Sequence, residues 1–224
     1  MNVPEIIAVD GPAASGKSTI AEELAKRLAY MYFDTGVMYR AVTWSALRKL
    51  GRVNDEEAVS LLAEQMKIDV QPPSVDDQRK QDVIVDGEDA TWLIRSPEVD
   101  ANVSQVSAYA RVRTAMTEQQ RRIGRRGRVV MAGRDIGTVV FPDAGLKIFL
   151  NASAQERARR RHKEQVARGE MEPYDEILAS LMKRDDIDSN RTIAPLKPAD
   201  DAVIIETDGL SIEQVLDAIM EKMK

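Results

Sequence analysis

Gly11-Pro12-Ala13-Ala14-Ser15-Gly16-Lys17-Ser18-Thr19 follows a short apolar run, Ile6-Ile7-Ala8-Val9, and opens a helical pattern with Ile20, Leu24 and Leu28 on one face. Strand, loop and helix in that order turn a G-x-x-x-x-G-K-S match into a structural expectation. Gly11 and Gly16 carry no Cβ, so the loop can turn several backbone N–H groups inward around phosphate oxygens. The helix that follows aims its free N–H groups and positive dipole end at the same anion. Lys17 adds a mobile full charge for the outer phosphates, and Ser18 offers a hydroxyl to Mg²⁺. Residues 11–19 therefore predict a nucleoside triphosphate site.

A chain of 224 residues holds one α/β core with a small insertion. Hydrophobic content of 43% and charged content of 31% are ordinary for a globular protein in water. No apolar run is long enough to span a membrane, and the N-terminus passes straight into the first strand without a leader pattern. With no cysteine there is neither a disulfide framework nor a thiolate metal site, which fits a cytoplasmic enzyme. A formal net charge of −5 argues against whole-surface attraction to nucleic acid, so any polyanion must meet a local basic cluster. Two such clusters exist. Arg121, Arg122, Arg125, Arg126 and Arg128 read equally well as a solvated helix face offset by acids. Arg157, Arg159, Arg160 and Arg161 read better as functional, for the reason given below.

Along the chain, Tyr30–Phe33 predicts a second strand, ending in Asp34-Thr35-Gly36 and followed by a helix through Tyr39, Val42, Ala46 and Leu50. Asn54 is expected to start the next helix, with Glu57 as its capping-box partner and Val59, Leu62 and Met66 on the core side. Ile68–Val70, Asp82–Val85 and Thr91–Ile94 predict a small antiparallel sheet, turned at Asp86-Gly87, with Gln71–Gln81 as an exposed loop. Ser96-Pro97 starts a helical region that breaks near Ser107 and ends at Gly124. Val129–Met131 and Leu146–Leu150 are strands, Ser153 with Glu156 opens an arginine-rich helix, and another helix runs from about Asp175 toward Arg184. Val203–Ile205 is the last strand, and Ser211 with Gln214 caps the last helix. Strands near residues 6, 31, 129, 147 and 203 separated by helices predict an α/β fold, a parallel sheet covered on both faces. In such sheets chemistry sits beyond the carboxyl ends of the strands. There fall Asp10-Gly11, Asp34-Thr35-Gly36 and Gly133-Arg134-Asp135.

Arg40, Arg134 and Arg191 stand outside the phosphate loop. Guanidinium groups bind phosphate bidentately and keep their charge, so several converging on one pocket suit a second phosphate. Singly, each could instead be an ion pair with Asp34, Asp135 or Asp188. Together, at strand ends, they favour an acceptor phosphate.

Four stretches carry a family resemblance: Asp34-Thr35-Gly36-Val37-Met38-Tyr39-Arg40, Ser104-Gln105-Val106, Gly133 through Asp143, and Arg184 through Arg191. With the phosphate loop they resemble the bacterial cytidylate kinases over nearly the whole chain. The resemblance implies a P-loop nucleoside monophosphate kinase spanning 1–224, with a five-stranded parallel sheet between helical layers. It also implies a monophosphate-binding insert at 66–100 and an arginine-rich lid at 154–170, around Arg157 to Arg168. It assigns the acceptor phosphate to Arg40, Arg134 and Arg191, the cytosine to Ser104, Arg113 and Asp135, and the ribose to Arg184 and Asp188, with Thr35 beside the substrate. Three positions depart from the family's habit: Thr35 where serine is usual, Ala132 where an acid commonly precedes Gly-Arg-Asp, and Ser18 where some members have glycine.

The implied reaction moves the γ-phosphoryl of ATP to CMP or dCMP with Mg²⁺, in a cytoplasmic monomer. An acceptor phosphate is already ionised near neutral pH, so no general base is needed and His162 is read as an exposed helix residue. Positioning and charge stabilisation would suffice: loop amides, Lys17, Mg²⁺ and arginines, with Arg157 and Arg161 at helical spacing closing over the phosphates. Cytosine offers an N4 amino donor beside an N3 acceptor. Asp135 can accept from N4, Arg113 can donate to N3 or O2, and Ser104 can serve either edge. The alternatives are a kinase for another monophosphate such as UMP, and a switch-type or nucleic-acid-binding ATPase. The acidic balance and the lack of interleaved aromatics argue against the last.

Overall fold

Each βα step begins where the sequence placed it: β1 (Ile6–Asp10) runs through the glycine loop into α1 (Lys17–Leu28), and β2 (Met31–Asp34) leads to α2 (Gly36–Leu50). The computed structural model describes residues 3–167, 169 and 171–223. Next come α3 (Glu56–Gln65), the short strands β3 (Ile68–Gln71), β4 (Asp82–Val85) and β5 (Glu88–Asp89), then α4 (Pro97–Val106) and α5 (Ala110–Gly124). The chain closes with β6 (Val129–Gly133), β7 (Leu146–Asn151), α6 (Ala154–Ala167), α7 (Tyr174–Asn190), β8 (Val203–Glu206) and α8 (Ile212–Glu221).

Strands β1, β2, β6, β7 and β8 form a parallel sheet, as the spacing of apolar runs predicted, and its order is β2-β6-β1-β7-β8. Ile7 lies opposite Leu146 and Asp10 opposite Phe149, while Asn151 lies opposite Glu206. The carboxyl ends of β7 and β8 therefore finish level, with β1 ending two residues short of them, and the space beyond such strand ends is where a ligand of an open parallel sheet sits. β3, β4 and β5 make the separate antiparallel sheet.

Two compact units divide the chain: Met1–Leu24 with Ala132–Lys224, and Ala25–Met131. In the first, Ile7, Val9, Ile148, Leu150, Leu216 and Ile219 are buried. There α6 and α7 pack through Ala158, Ile177 and Leu181 onto Ala13 of the glycine loop. In the second, Phe33, Met38, Val42, Ile68, Ile94, Met116 and Ile123 form the interior.

Caps account for several boundaries. The Ser96 side chain accepts from Val99 N with Pro97 at the first helical position, and Ser211 with Gln214 forms a full capping box. The helical region after Ser96 does break near Ser107, separating α4 from α5. α7 runs on past Arg184 to Asn190.

Four local expectations need correction. Asp55, not Asn54, caps α3, because its carboxylate reaches Ala58 N at 3.1 Å. The third short strand is Glu88–Asp89 rather than Thr91–Ile94. Asp86 and Gly87 have φ of 51° and 89°, the two-residue turn that pairs the next residues at once. Thr91 then ends the pairing, its hydroxyl accepting from Val83 N and its N–H donating to Asp89, and a 3₁₀ turn covers Leu93–Arg95. The segment 71–81 is not uniformly exposed, since Gln81 is 1% exposed and the Arg79 side chain 7%. His162 is half-buried, edge-on to Tyr174.

Candidate active site

β1 ends inside the first unit, and the chain must turn at once beneath β7. A Cβ on Gly11 would lie 2.3 Å from the Leu150 carbonyl oxygen, so only glycine passes there. Gly16 has φ 86° and Ala14 φ 57°, so the loop winds back on itself before α1 begins. The first turn of α1 holds no acid, so no side-chain carboxylate there competes with an anion for the positive end of the helix. Lys17 bends over the loop and its Nζ donates to the Pro12 carbonyl at 2.9 Å. Ser18 is half-buried beside it and Thr19 is exposed. A hard hydroxyl donor at that position fits Mg²⁺, which is commonly held by one or two protein oxygens together with substrate phosphates.

Beyond β6, Arg134 and Asp135 are fixed by a buried carboxylate that the sequence reading left without a role. Asp10 Oδ1 accepts from Ile136 N at 2.9 Å and Oδ2 from Gly137 N at 2.8 Å. They anchor a π-helical turn over Ile136–Val140, closed by Val140 N to Asp135 O and Phe141 N to Ile136 O. Burial pushes the Asp10 carboxyl up, and Asp135 adds to that. The two N–H donors and Lys17 pull the other way, and the result is about 6.

From this loop Arg134 donates through Nε to Asp188 Oδ2 at 2.7 Å and through Nη1 to Gly11 O at 3.1 Å. Arg191 donates to Asp188 Oδ1 at 3.3 Å and to Ala194 O at 2.5 Å, and lies 3.9 Å from Asp135. Burial acts to raise the Asp188 carboxyl, but Arg134, Arg191 and the exposed Arg184 outweigh it and hold it below the usual range. The first unit thus brings together Arg134, Asp135, Asp188 and Arg191 next to Gly11. Arg184 approaches them through its charge.

The helical hairpin of α6 and α7 treats its arginines unequally. Arg157 is 4% exposed and donates to Ala152 O and Ala13 O, each at 3.0 Å, and to both carboxylate oxygens of Asp185. Arg161 is exposed. Arg160, read only as one of the basic cluster in the lid, reaches the phosphate loop: it donates to Ser15 O, to Thr207 O at 2.6 Å and to Thr207 Oγ1. Arg168, assigned to the lid, lies outside the described residues.

The second unit carries the other predicted residues. Thr35 is buried ahead of α2, where Gly36 N donates to Asp34 Oδ1 at 3.0 Å. Arg40, one turn on, donates to Ile94 O at 3.3 Å and pairs with Asp100 of α4. Ser104 is half-buried on the same helix. Arg113 of α5 is 3% exposed, donates to Ser107 O at 3.1 Å and stacks 5.3 Å over the Tyr39 ring. The separate cluster on α5 and after it proves structural at Arg122 and Arg126. They donate to Ile68 O and Val70 O, with Asp69 as counter-charge.

The family model for cytidylate kinase matches residues 7–224. A cytidylate kinase of Chloroflexus aggregans is 52% identical over 94% of this chain and 90% of its own length. One of Herpetosiphon aurantiacus is 49% identical over 98% of this chain and 94% of its own. A third, from a Geobacillus species, is 49% identical over 96% and 94%.

Proposed function

The chain belongs to the cytidylate kinase family, and from that premise we propose that it moves the γ-phosphoryl group of ATP to the 5′-phosphate of CMP or dCMP, giving ADP with CDP or dCDP. The observation that carries the reading is the loop of residues 11–19 beside a pair of arginines, Arg134 and Arg191, joined through Asp188. One anion is met by backbone N–H groups and Lys17. A second is met by guanidinium groups already held in place, with little left to organise at the moment of reaction.

In this reading an oxygen of the acceptor phosphate attacks the γ-phosphorus, the bond to the bridging oxygen breaks, and ADP leaves. Both oxygens carry charge, so the protein positions and neutralises rather than moving protons. Lys17, now bonded to Pro12 O, exchanges that carbonyl for phosphate oxygens. Ser18 would hold Mg²⁺, which when bound offsets charge on the outer phosphates. Arg40, Arg134 and Arg191 hold the acceptor phosphate. Asp135 accepts from cytosine N4, Arg113 donates to N3 or O2, Ser104 serves either edge, Thr35 lies alongside, and Arg184 with Asp188 approaches the ribose. The insert at 66–100 belongs to monophosphate binding and the stretch 154–170 to the lid, where Arg157 and Arg161 serve the phosphates. No helix among the described residues is long and apolar enough to cross a membrane. The reading makes the enzyme a cytoplasmic monomer.

Coupled ADP release measured across the common monophosphates tests this. CMP and dCMP are expected to give a specificity constant far above that of UMP, since two buried polar mismatches at about 1–3 kcal/mol each separate the bases. UMP used as well as CMP, or release stimulated by RNA or DNA alone, would overturn the assignment.

A further inference from the structure

Gln81 is an unusual guest in a polar, proline-containing segment. Its neighbours from Gln71 to Lys80 are mostly exposed, yet its own side chain is buried, at 1% exposure. A primary amide placed there must find both a donor and an acceptor, or its burial is costly. It finds both on one residue. Gln81 Oε1 accepts from Asp34 N at 3.0 Å, and Nε2 donates to Asp34 O at 3.4 Å. Asp34 ends β2, an edge strand with a neighbour on one side only. The amide therefore gives that residue the pairing a further strand would supply, from 47 positions away.

The segment is braced so that Gln81 stays in place. Arg79, two residues earlier, donates to Asp77, Asp82 and Asp89 at 2.7–3.0 Å from an almost fully buried side chain. Asp77 also accepts from the Trp92 indole at 2.8 Å, and the Asp82 carboxylate accepts from Ser74 N. Asp82 is the residue after Gln81 and the first of β4. A cation holding three carboxylates around a loop is a rigid mount, and the side chain it mounts is the one that grips Asp34. Immediately after Asp34 come Thr35 and the first turn of α2, with Arg40 next along the helix.

We propose that Gln81 is a positioning residue: it locks the backbone of Asp34 and so sets Thr35 and Arg40 for the acceptor nucleotide. This rests on the assignment of CMP as acceptor made above. It adds a residue that touches no substrate and acts through the strand end.

Kinetics of the full chain with Gln81→Leu test it. Leucine keeps the bulk but removes both hydrogen bonds, and losing a buried N–H partner corresponds to about a tenfold or greater effect. The KM for CMP is expected to rise by about that factor while the KM for ATP stays within about twofold. Gln81→Glu keeps an acceptor for Asp34 N but turns a second oxygen toward Asp34 O in place of a donor, and is expected to raise the KM for CMP selectively as well. Should Gln81→Leu fail to fold, Gln81→Glu carries the test through its own selective rise in the KM for CMP. A folded variant whose CMP and ATP parameters fall in equal proportion, or whose KM for CMP does not move, would overturn the positioning role. Failure of the unsubstituted protein to use CMP would instead overturn the acceptor assignment, and this proposal with it.

Discussion

Lys17 is the mobile cation assigned to the outer phosphates, and its bond to Pro12 O keeps it over the loop it serves. Lys17→Ala is expected to lower turnover about a hundredfold to a thousandfold with the fold intact, the usual cost of losing a preorganised charge contact at a transition state. Near-normal turnover in a folded, purified variant would end the loop mechanism. Asp10 was visible in the sequence as the residue before Gly11, but its task was not. Nothing in a linear pattern announces that a carboxylate will accept two N–H groups from 126 and 127 positions on. Its titration gives a signed consequence. The folded carboxyl sits at about 6 against 3.8 for the free group, so between those values the native state holds more protons than the unfolded chain. This group's stabilising contribution is fully present below about pH 4 and lost as pH rises to about 6. Urea melts should therefore show wild-type stability, measured relative to Asp10→Asn, declining over that window and level above it. Asp188 runs the other way, since its carboxyl is held low by arginines and protonation at acid pH loses that contribution.

Helix starts were the most legible elements, because capping chemistry is local. Ser96-Pro97 and Ser211 with Gln214 could be read directly, whereas at Asn54-Asp55 two good caps stand side by side and geometry alone chose the second. The π-helical turn at Ile136–Val140 was illegible for a related reason. It is held by Asp10 from another strand, not by its own residues. The same holds for Gln81 and Arg157, which sequence position marked as a loop residue and a lid arginine. Long-range partners, Asp34 for the one and Ala13 O with Asp185 for the other, bury both. A measurable case at this scale is α4, which carries Ser104 and the Asp100 partner of Arg40. Ser96→Ala removes its cap bond and is expected to cost about 1 kcal/mol, or about 2–4 °C in a chain of this size. Differential scanning calorimetry would check it, and an unchanged Tm would mean that the Val99 N–H finds another acceptor.

For the molecule as a whole, binding and stability are linked. A ligand that binds only the native state stabilises it by about 2.7 kcal/mol at a hundred times its Kd, an upward shift in Tm of about 5–10 °C. ATP and CMP should each raise the Tm of the unsubstituted protein. Arg40→Ala should abolish most of the CMP shift and leave the ATP shift in place, and Arg40→Lys should restore little, because a point charge cannot reproduce a bidentate fork. Loss of the ATP shift alone would contradict the division of labour. The fold class was legible at this scale from the spacing of five apolar runs, while the division into two compact units was not, since it follows contacts rather than composition.

Both tryptophans of the chain, Trp44 and Trp92, fall within Ala25–Met131. Tryptophan fluorescence, excited selectively, is therefore an optical probe of that unit alone. Trp92 is 48% exposed and its indole N–H is bonded to Asp77 of the Arg79 cluster, while Trp44 lies 5.1 Å from the Arg48 guanidinium. With Trp44 replaced by Phe, the emission wavelength of the remaining indole becomes a built-in gauge of whether the loop that carries Gln81 is still held.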